Sequence, residues 1–423
     1  MRVVVGTING LVKVVDVEKG AVAGKWGIQR EEYELDAHCW GRELSEGREL
    51  LLARKDGSIV GLNVEEGLCV TRLWDYKDYL PENTAGDMSR VCGMEYDGTD
   101  VNGKLIVCTR NGSVLILDAS SAGEEGEGEP VESLPILISS HSFEVKGGKH
   151  IEKMRKFDNV VAAGGKEFDL ALRDATTLAK KWEARNVKDD FLQMRVPVHI
   201  KDLQFLGEPD KLVTCTAHHQ VRVYDVRAQR RPVMDISNGE YPFNAITSVT
   251  QGKYSDATKY IVVASNTVGD MTSFDLRKAG VVAGGYKGHT GSVRSICRVG
   301  ADEDSIASCG LDRYLIVHGA SSRVIQKKIF LKQRLNFVEK LPDKPTQSNG
   351  VDVEGRSDGK QSPKNENRED ADELDEEWQE MEVVQEIVSK KRKKKASSSG
   401  SAKDEKKSKR SRKASSSSSS KRS

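Results

Sequence analysis

One pattern returns seven times between residues 3 and 318: an apolar run, a polar turn that usually carries Gly, Asn or Asp, then an alternating strand that usually closes on Asp. The copies are 3–16 (VVVGTINGLVKVVD), 50–63 (LLLARKDGSIVGLN), 105–118 (LIVCTRNGSVLILD), 160–174 (VVAAGGKEFDLALRD), 212–225 (LVTCTAHHQVRVYD), 260–275 (YIVVASNTVGDMTSFD) and 305–318 (SIASCGLDRYLIVH). Their last residues lie 47, 55, 56, 51, 50 and 43 positions apart. Repeats at roughly 20 to 50 residues signal solenoids, propellers or arrays, because no single unit can bury its apolar face without a neighbour. Asp56-Gly57 and Asn111-Gly112, set between alternating runs, supply the positive φ angles of a tight hairpin, so each copy reads as two paired strands.

The spacing exceeds the roughly 40 to 45 residues of a minimal WD-type propeller blade by the length of loop insertions. The seventh copy is the fullest unit: Gly288-His289 precedes it, and Ser308 and Asp312 fall within it. In WD repeats such a His, Ser and Asp hydrogen-bond one another beneath the blade; the terminal Trp of those repeats is absent here, and Tyr224-Asp225 comes nearest. The expected fold class is therefore all-β, a seven-bladed WD-type β-propeller over residues 1–340 with a disordered charged C-terminal tail. Each copy is expected to be the third and fourth strands of a blade. The first blade would then lack two inner strands, for which 323–331 and 334–338 are the candidates, closing the ring without a free sheet edge. The insertion at 123–129 (GEEGEGE) is too polar and Gly-rich to pack and is expected to be a mobile loop.

Charge separates this body from the C-terminal residues. Lys+Arg number 66 and Asp+Glu 65 over the 423 residues, yet residues 1–340 net −2, 341–389 net −10 and 390–423 net +13. Residues 341–371 read as a disordered acidic linker. Residues 372–389 put Leu374, Trp378, Met381, Val384 or Gln385, and Val388 on one face of an acidic amphipathic helix, where Trp378 would suit partner docking. Lys390, Lys391, Arg392, Lys393, Lys394 and Lys395 open a basic Ser/Lys-rich tail and read as a nuclear localisation signal and nucleic-acid patch.

Catalytic signals fail one by one. Residues 98–104 match the start of a phosphate-binding loop, but Leu105 stands where Ser or Thr should hold magnesium, and a strand follows where a helix is needed. His218-His219 occupies a hairpin turn, where adjacent side chains diverge. The seven cysteines are scattered without a CxxC pair, which argues against disulfides or structural zinc and for a reducing compartment. No apolar run approaches the roughly 18 residues of a membrane span, and the N-terminus is too short for a signal-peptide core. The expectation is an unsecreted, non-enzymatic monomer with no cofactor, metal or membrane partner. Two cationic stretches, Lys180-Lys181-Trp182 and the Arg227, Arg230, Arg231 group, could hold RNA phosphates, with Trp182 stacking a base.

Beyond these general features, the runs 185–197 (RNVKDDFLQMRVP), 211–216 (KLVTCT) with 219–225 (HQVRVYD), 239–242 (GEYP) and 308–313 (SCGLDR) resemble the WD repeat-containing protein 74 family of nucleolar assembly factors. The likeness is dense from about residue 160 to 337 and looser before it. Residues 166–174 depart from the pattern, since the related strand would end near Trp-Asp. The resemblance implies a scaffold in large (60S) ribosomal subunit biogenesis and pre-rRNA processing, in the nucleus and nucleolus. It further implies as partners pre-60S particle proteins and pre-rRNA, an AAA-type ATPase that releases the factor, and an exosome-associated RNA helicase. Carried over by position, Arg185, Asn186, Asp190, Arg195, Pro197, Gln220, Arg222, Glu240, Tyr241 and Arg313 would form the assembly surface, while Val187, Val196 and Cys309 would be core. The alternative is a propeller adaptor in another nuclear complex, such as a ubiquitin-ligase substrate receptor; a propeller hydrolase is the remaining rival.

Overall fold

In the computed structural model the described residues are 1–342 apart from 45–46, 66–68, 81–85, 99–102, 120–135, 146–147, 238–242, 249–259, 279–280 and 300–304. They form seven four-stranded antiparallel sheets, and the innermost strands of successive sheets pack against one another round a ring. The described residues are an all-β, seven-bladed β-propeller.

Every repeat copy forms a hairpin, and the turn chemistry is as the sequence implies, with Gly57 at φ 100 and Gly112 at φ 93. Counting outward from the axis, however, the hairpins are the second and third strands of each blade, not the third and fourth. Blade four shows the order: His150–Phe157, Val160–Lys166, Phe168–Asp174 and Lys180–Glu183. Its atypical third strand still buries Leu170 and Leu172 and pairs on both sides.

The same one-strand offset corrects the closure. Blade one takes three strands from the N-terminal segment, Arg2–Thr7, Val12–Asp16 and Ala21–Trp26, leaving one vacancy. Leu335–Lys340 fills it, pairing antiparallel with Arg2–Thr7. The other candidate, Ile325–Phe330, is instead the outer strand of blade seven, paired with Tyr314–Gly319. The closing strand also meets the inner strand of blade two, Leu35–Leu44: the Asn336 side-chain amide donates to the Leu35 carbonyl at 2.6 Å, and the rings of Phe337 and His38 stack at 3.9 Å.

Neighbouring blades bury both faces of each sheet, which explains why the inner strands read as apolar runs. Along Arg2–Thr7, Val3 and Val5 pack with Ala307, Leu315 and Val317 of blade seven, whereas Val4 packs with Leu50, Leu52 and Leu62 of blade two. Each such valine, fully buried, contributes on the order of 2 kcal/mol. Blade seven also carries the expected polar lock: His289 Nδ1 lies 2.8 Å from Asp312 Oδ2, and His289 Nε2 lies 2.9 Å from Ser308 Oγ. Antiparallel order places the turns between second and third strands, and the crossovers from one blade to the next, on one face of the ring.

The 123–129 insertion, the linker and helix after residue 342, Trp378 and the Lys390 to Lys395 run lie outside the described residues, as do Glu240 and Tyr241. Of the phosphate-loop match, 99–102 lie outside too, and Lys104 opens strand Lys104–Thr109.

Candidate partner-binding surface

The family-like run 185–197 is the crossover from the outer strand of blade four to the inner strand of blade five, Ile200–Phe205. It has no apolar period because it is neither strand nor helix, and its shape comes from side-chain-to-backbone bonds. Asn186 clasps its two ends: Nδ2 donates to the Val196 carbonyl at 2.6 Å, while Oδ1 accepts from the Val187 amide at 2.8 Å. Arg231 Nε adds a bond to the Asn186 carbonyl at 3.2 Å. Asp190 ties the tip, its Oδ1 accepting from the amides of Leu192 and Met194, each at 2.9 Å. The Asp190 amide in turn donates to the Met194 carbonyl at 3.0 Å, with Gln193 at φ 58 turning the corner.

These polar bonds hold an apolar tip outward. Phe191 is 92% exposed, Leu192 59% and Met194 58%. Scattered exposed apolar residues are ordinary, but three on one tied turn form a knuckle that costs free energy in water and gains it in a partner's pocket. Sequence reasoning passes over them in favour of their polar neighbours. A signal is nevertheless present: Phe-Leu-x-Met inside a charged loop belongs to no amphipathic period.

Of the residues expected at this surface, Arg185, Arg195 and Pro197 are exposed on the crossover. Arg195 pairs with Glu167 at 2.8 Å, in the turn of blade four on which the crossover rests, and not with Asp189 or Asp190. The half-buried Gln220 donates its backbone amide to Thr216 Oγ1 at 3.2 Å. Arg313 is exposed too, but on blade seven, away from this crossover. Arg222 does not reach the surface. It is 1% exposed, its Nε donates to Asp235 at 3.2 Å and its Nη1 to Asn186 Oδ1 at 3.4 Å, so it braces the clasp from inside. Val187 and Val196 are half-buried, and Cys309 is core.

Trp182 is half-buried, and its ring meets Tyr224 edge-on at 6.2 Å. Beneath the crossover, Glu152 of blade four accepts from His199 at 2.8 Å and Lys201 at 2.7 Å, fastening blade five to blade four. Burial opposes ionisation of Glu152, but those hydrogen bonds outweigh it and hold the carboxyl well below the usual carboxylate range. His218 stands beside this group, its ring 6.3 Å from that of His199, and burial followed by the His199 charge lowers its pKa. Among the described residues no group of three or more His, Cys, Asp or Glu is placed to hold a metal ion, and no helix is long and apolar enough to cross a membrane.

No family model matches the chain. The solved structure of the computationally designed Ika8 protein is similar in fold alone, with a TM-score of 0.50 and 14% identity, covering 79% of this chain and 86% of that one. Ribosome biogenesis protein NSA1 of Saccharomyces cerevisiae is 26% identical over 326 residues, 69% of this chain and 66% of its own length. WD repeat-containing protein 74 of Bos taurus and of Homo sapiens are each 32% identical over 366 residues, 83% of this chain and 86% of theirs. With that identity over most of both chains, and with the seven blades in place, this chain belongs to the WD repeat-containing protein 74 family.

Proposed function

We propose that the chain is a non-enzymatic scaffold of large ribosomal subunit assembly, seated on nucleolar precursor particles through the crossover between blades four and five. The observation that carries this reading is the relatedness to proteins named for ribosome biogenesis, alignable over 69% of this chain in Saccharomyces cerevisiae. The tied apolar tip supports it, because a rigid turn presents a buried-anchor side chain at little entropic cost on docking. The polar groups at the crossover are spent on holding it. Release by an AAA-type ATPase, linkage to an exosome-associated RNA helicase and nuclear import through Lys390 to Lys395 belong to the same proposal. Gradient sedimentation of the tagged chain from nuclear extract tests it. Co-migration with large-subunit precursors containing pre-rRNA is expected, and a chain confined to the top of the gradient, or bound to a ubiquitin ligase, would overturn it.

A further inference from the structure

A large-subunit precursor holds both RNA and protein, and the crossover tip carries marks that separate the two as its partner. Stacking a base takes a π-face, and holding its phosphate takes unpaired cations or free backbone amides. Of the three exposed apolar side chains only Phe191 has a π-face; Leu192 and Met194 set aliphatic surface beside it. Backbone donors are scarce, because the amides of Asp190, Leu192, Gln193 and Met194 are all bonded within the loop. Asp189 and Asp190 immediately precede Phe191, so two carboxylates stand where a phosphate would have to come. Arg195 is engaged by Glu167 at 2.8 Å. The remaining cations of the loop, Arg185 and Lys188, together with the two aspartates sum to zero. The cations that the sequence marks as an RNA patch are engaged as well: Lys180 with Glu183, Lys181 with Asp174, Arg227 with Asp210, and Arg230 with Glu183.

The same features suit a protein. Phe and Met are enriched in the cores of protein interfaces, from which Lys and Asp are depleted, and a polar rim surrounds such cores. Here Phe191, Leu192 and Met194 supply the apolar centre, and a rim of mixed sign and no net charge stands beside it. Such a rim tolerates many protein surfaces but gives a polyanion nothing to neutralise. Met194 has an unbranched thioether that adapts to an irregular wall. The turn is fixed before contact by Asp190 and by Gln193 in left-handed backbone at φ 58, so docking orders little beyond the side chains themselves.

We infer that the crossover tip is held in an apolar pocket on a protein of the precursor particle, not on its RNA. Phe191 is the anchor, Leu192 and Met194 lie against the pocket walls, and Arg185, Lys188 and Asp189 stay in the solvated rim. That the protein belongs to the precursor rests on the assembly reading above; that it is a protein rests on the tip itself.

Two measurements on the full chain test the pocket. In the first, a Phe191→benzoylphenylalanine chain is irradiated in nuclear extract. The expected adduct survives ribonuclease, maps to apolar residues of one protein, and is lost when Leu192→Ser/Met194→Ser is added. An adduct that ribonuclease degrades, one that forms equally without Leu192 and Met194, or no adduct from the folded chain would overturn the inference. In the second, isolated large-subunit precursors are titrated with Phe191→Leu and Phe191→Tyr and read by sedimentation. An apolar pocket accepts Leu, so Phe191→Leu should bind within about fivefold of the parent. It resists a buried hydroxyl, so Phe191→Tyr should bind about tenfold more weakly still. A stacked base reverses that order, because Tyr keeps the π-face and Leu lacks it, and the reversed order would overturn the inference. A chain that captures its protein under light but stays at the top of the precursor gradient would sink the assembly reading alone. One that travels with precursors but crosslinks to RNA would sink the pocket alone.

Discussion

The polar lock of blade seven and the crossover between blades four and five lie on the same face and use the same chemistry to opposite ends. In blade seven, His289, Ser308 and Asp312 satisfy one another beneath the sheet, where His289 and Asp312 are nearly sealed from solvent. At the crossover, Asn186 and Asp190 spend their polar atoms on backbone amides and carbonyls, and what they hold in place is an exposed Phe, Leu and Met. One network closes a blade; the other displays a contact. A polar residue in a family-like stretch can therefore shape an exposed surface by holding the backbone beneath it.

The comparison breaks most visibly under Asp312→Ala. Burial opposes ionisation of Asp312, but its bonds from His289 and the Thr290 amide prevail and hold the carboxyl low, so its removal strands both donors. Loss of about 3 kcal/mol is expected in urea unfolding. Binding at the crossover by the fraction still folded should be intact.

Asn186→Ala should cost less, about 1 to 2 kcal/mol, because its two local bonds and the longer one from Arg222 Nη1 are lost while the blades stay paired. Its signature is local: hydrogen exchange at the Leu192 and Met194 amides should quicken while blade-seven amides keep their protection. Uniform loosening would mean that the clasp is part of the global fold and not a separate device.

A smaller, pH-dependent effect sharpens the contrast. The folded pKa of Glu152 lies below its unfolded value of about 4.3, so its stabilisation is complete above that value and is lost as pH falls through the folded pKa. Urea midpoints of the parent and Glu152→Gln should differ at pH 7 and converge from about pH 5 downward. A gap that stays constant into acid would show that the carboxylate charge does not fasten blade five to blade four.

The ring was legible because hairpin turns and alternating strands recur, and the His-Ser-Asp set was legible because its spacing is local to one unit. Which strands the hairpins become was not. Every hairpin pairs on both sides, and the outer strands that would mark the count, such as Ala21–Trp26 with its exposed side chains, lack an apolar signature. Arg222 shows a second blind spot. In Gln220–Asp225 the period-two pattern sets Arg222 opposite Val221, which on an ordinary half-exposed sheet would mean outward, but blades bury both faces. The tip of the crossover was hidden differently, since exposure in a loop depends on bonds between residues such as Asp190 and Met194 that no periodicity encodes.

The role of the crossover tip is tested most directly by Phe191→Ser/Leu192→Ser/Met194→Ser, read by one thermal melt and one sedimentation gradient. These side chains bury little in the free chain, so stability should move by no more than about 0.5 kcal/mol. A normal melt together with departure from large-subunit precursor fractions is the expected result. A variant that melts normally and still co-migrates with those precursors would contradict the claim that this tip seats the propeller.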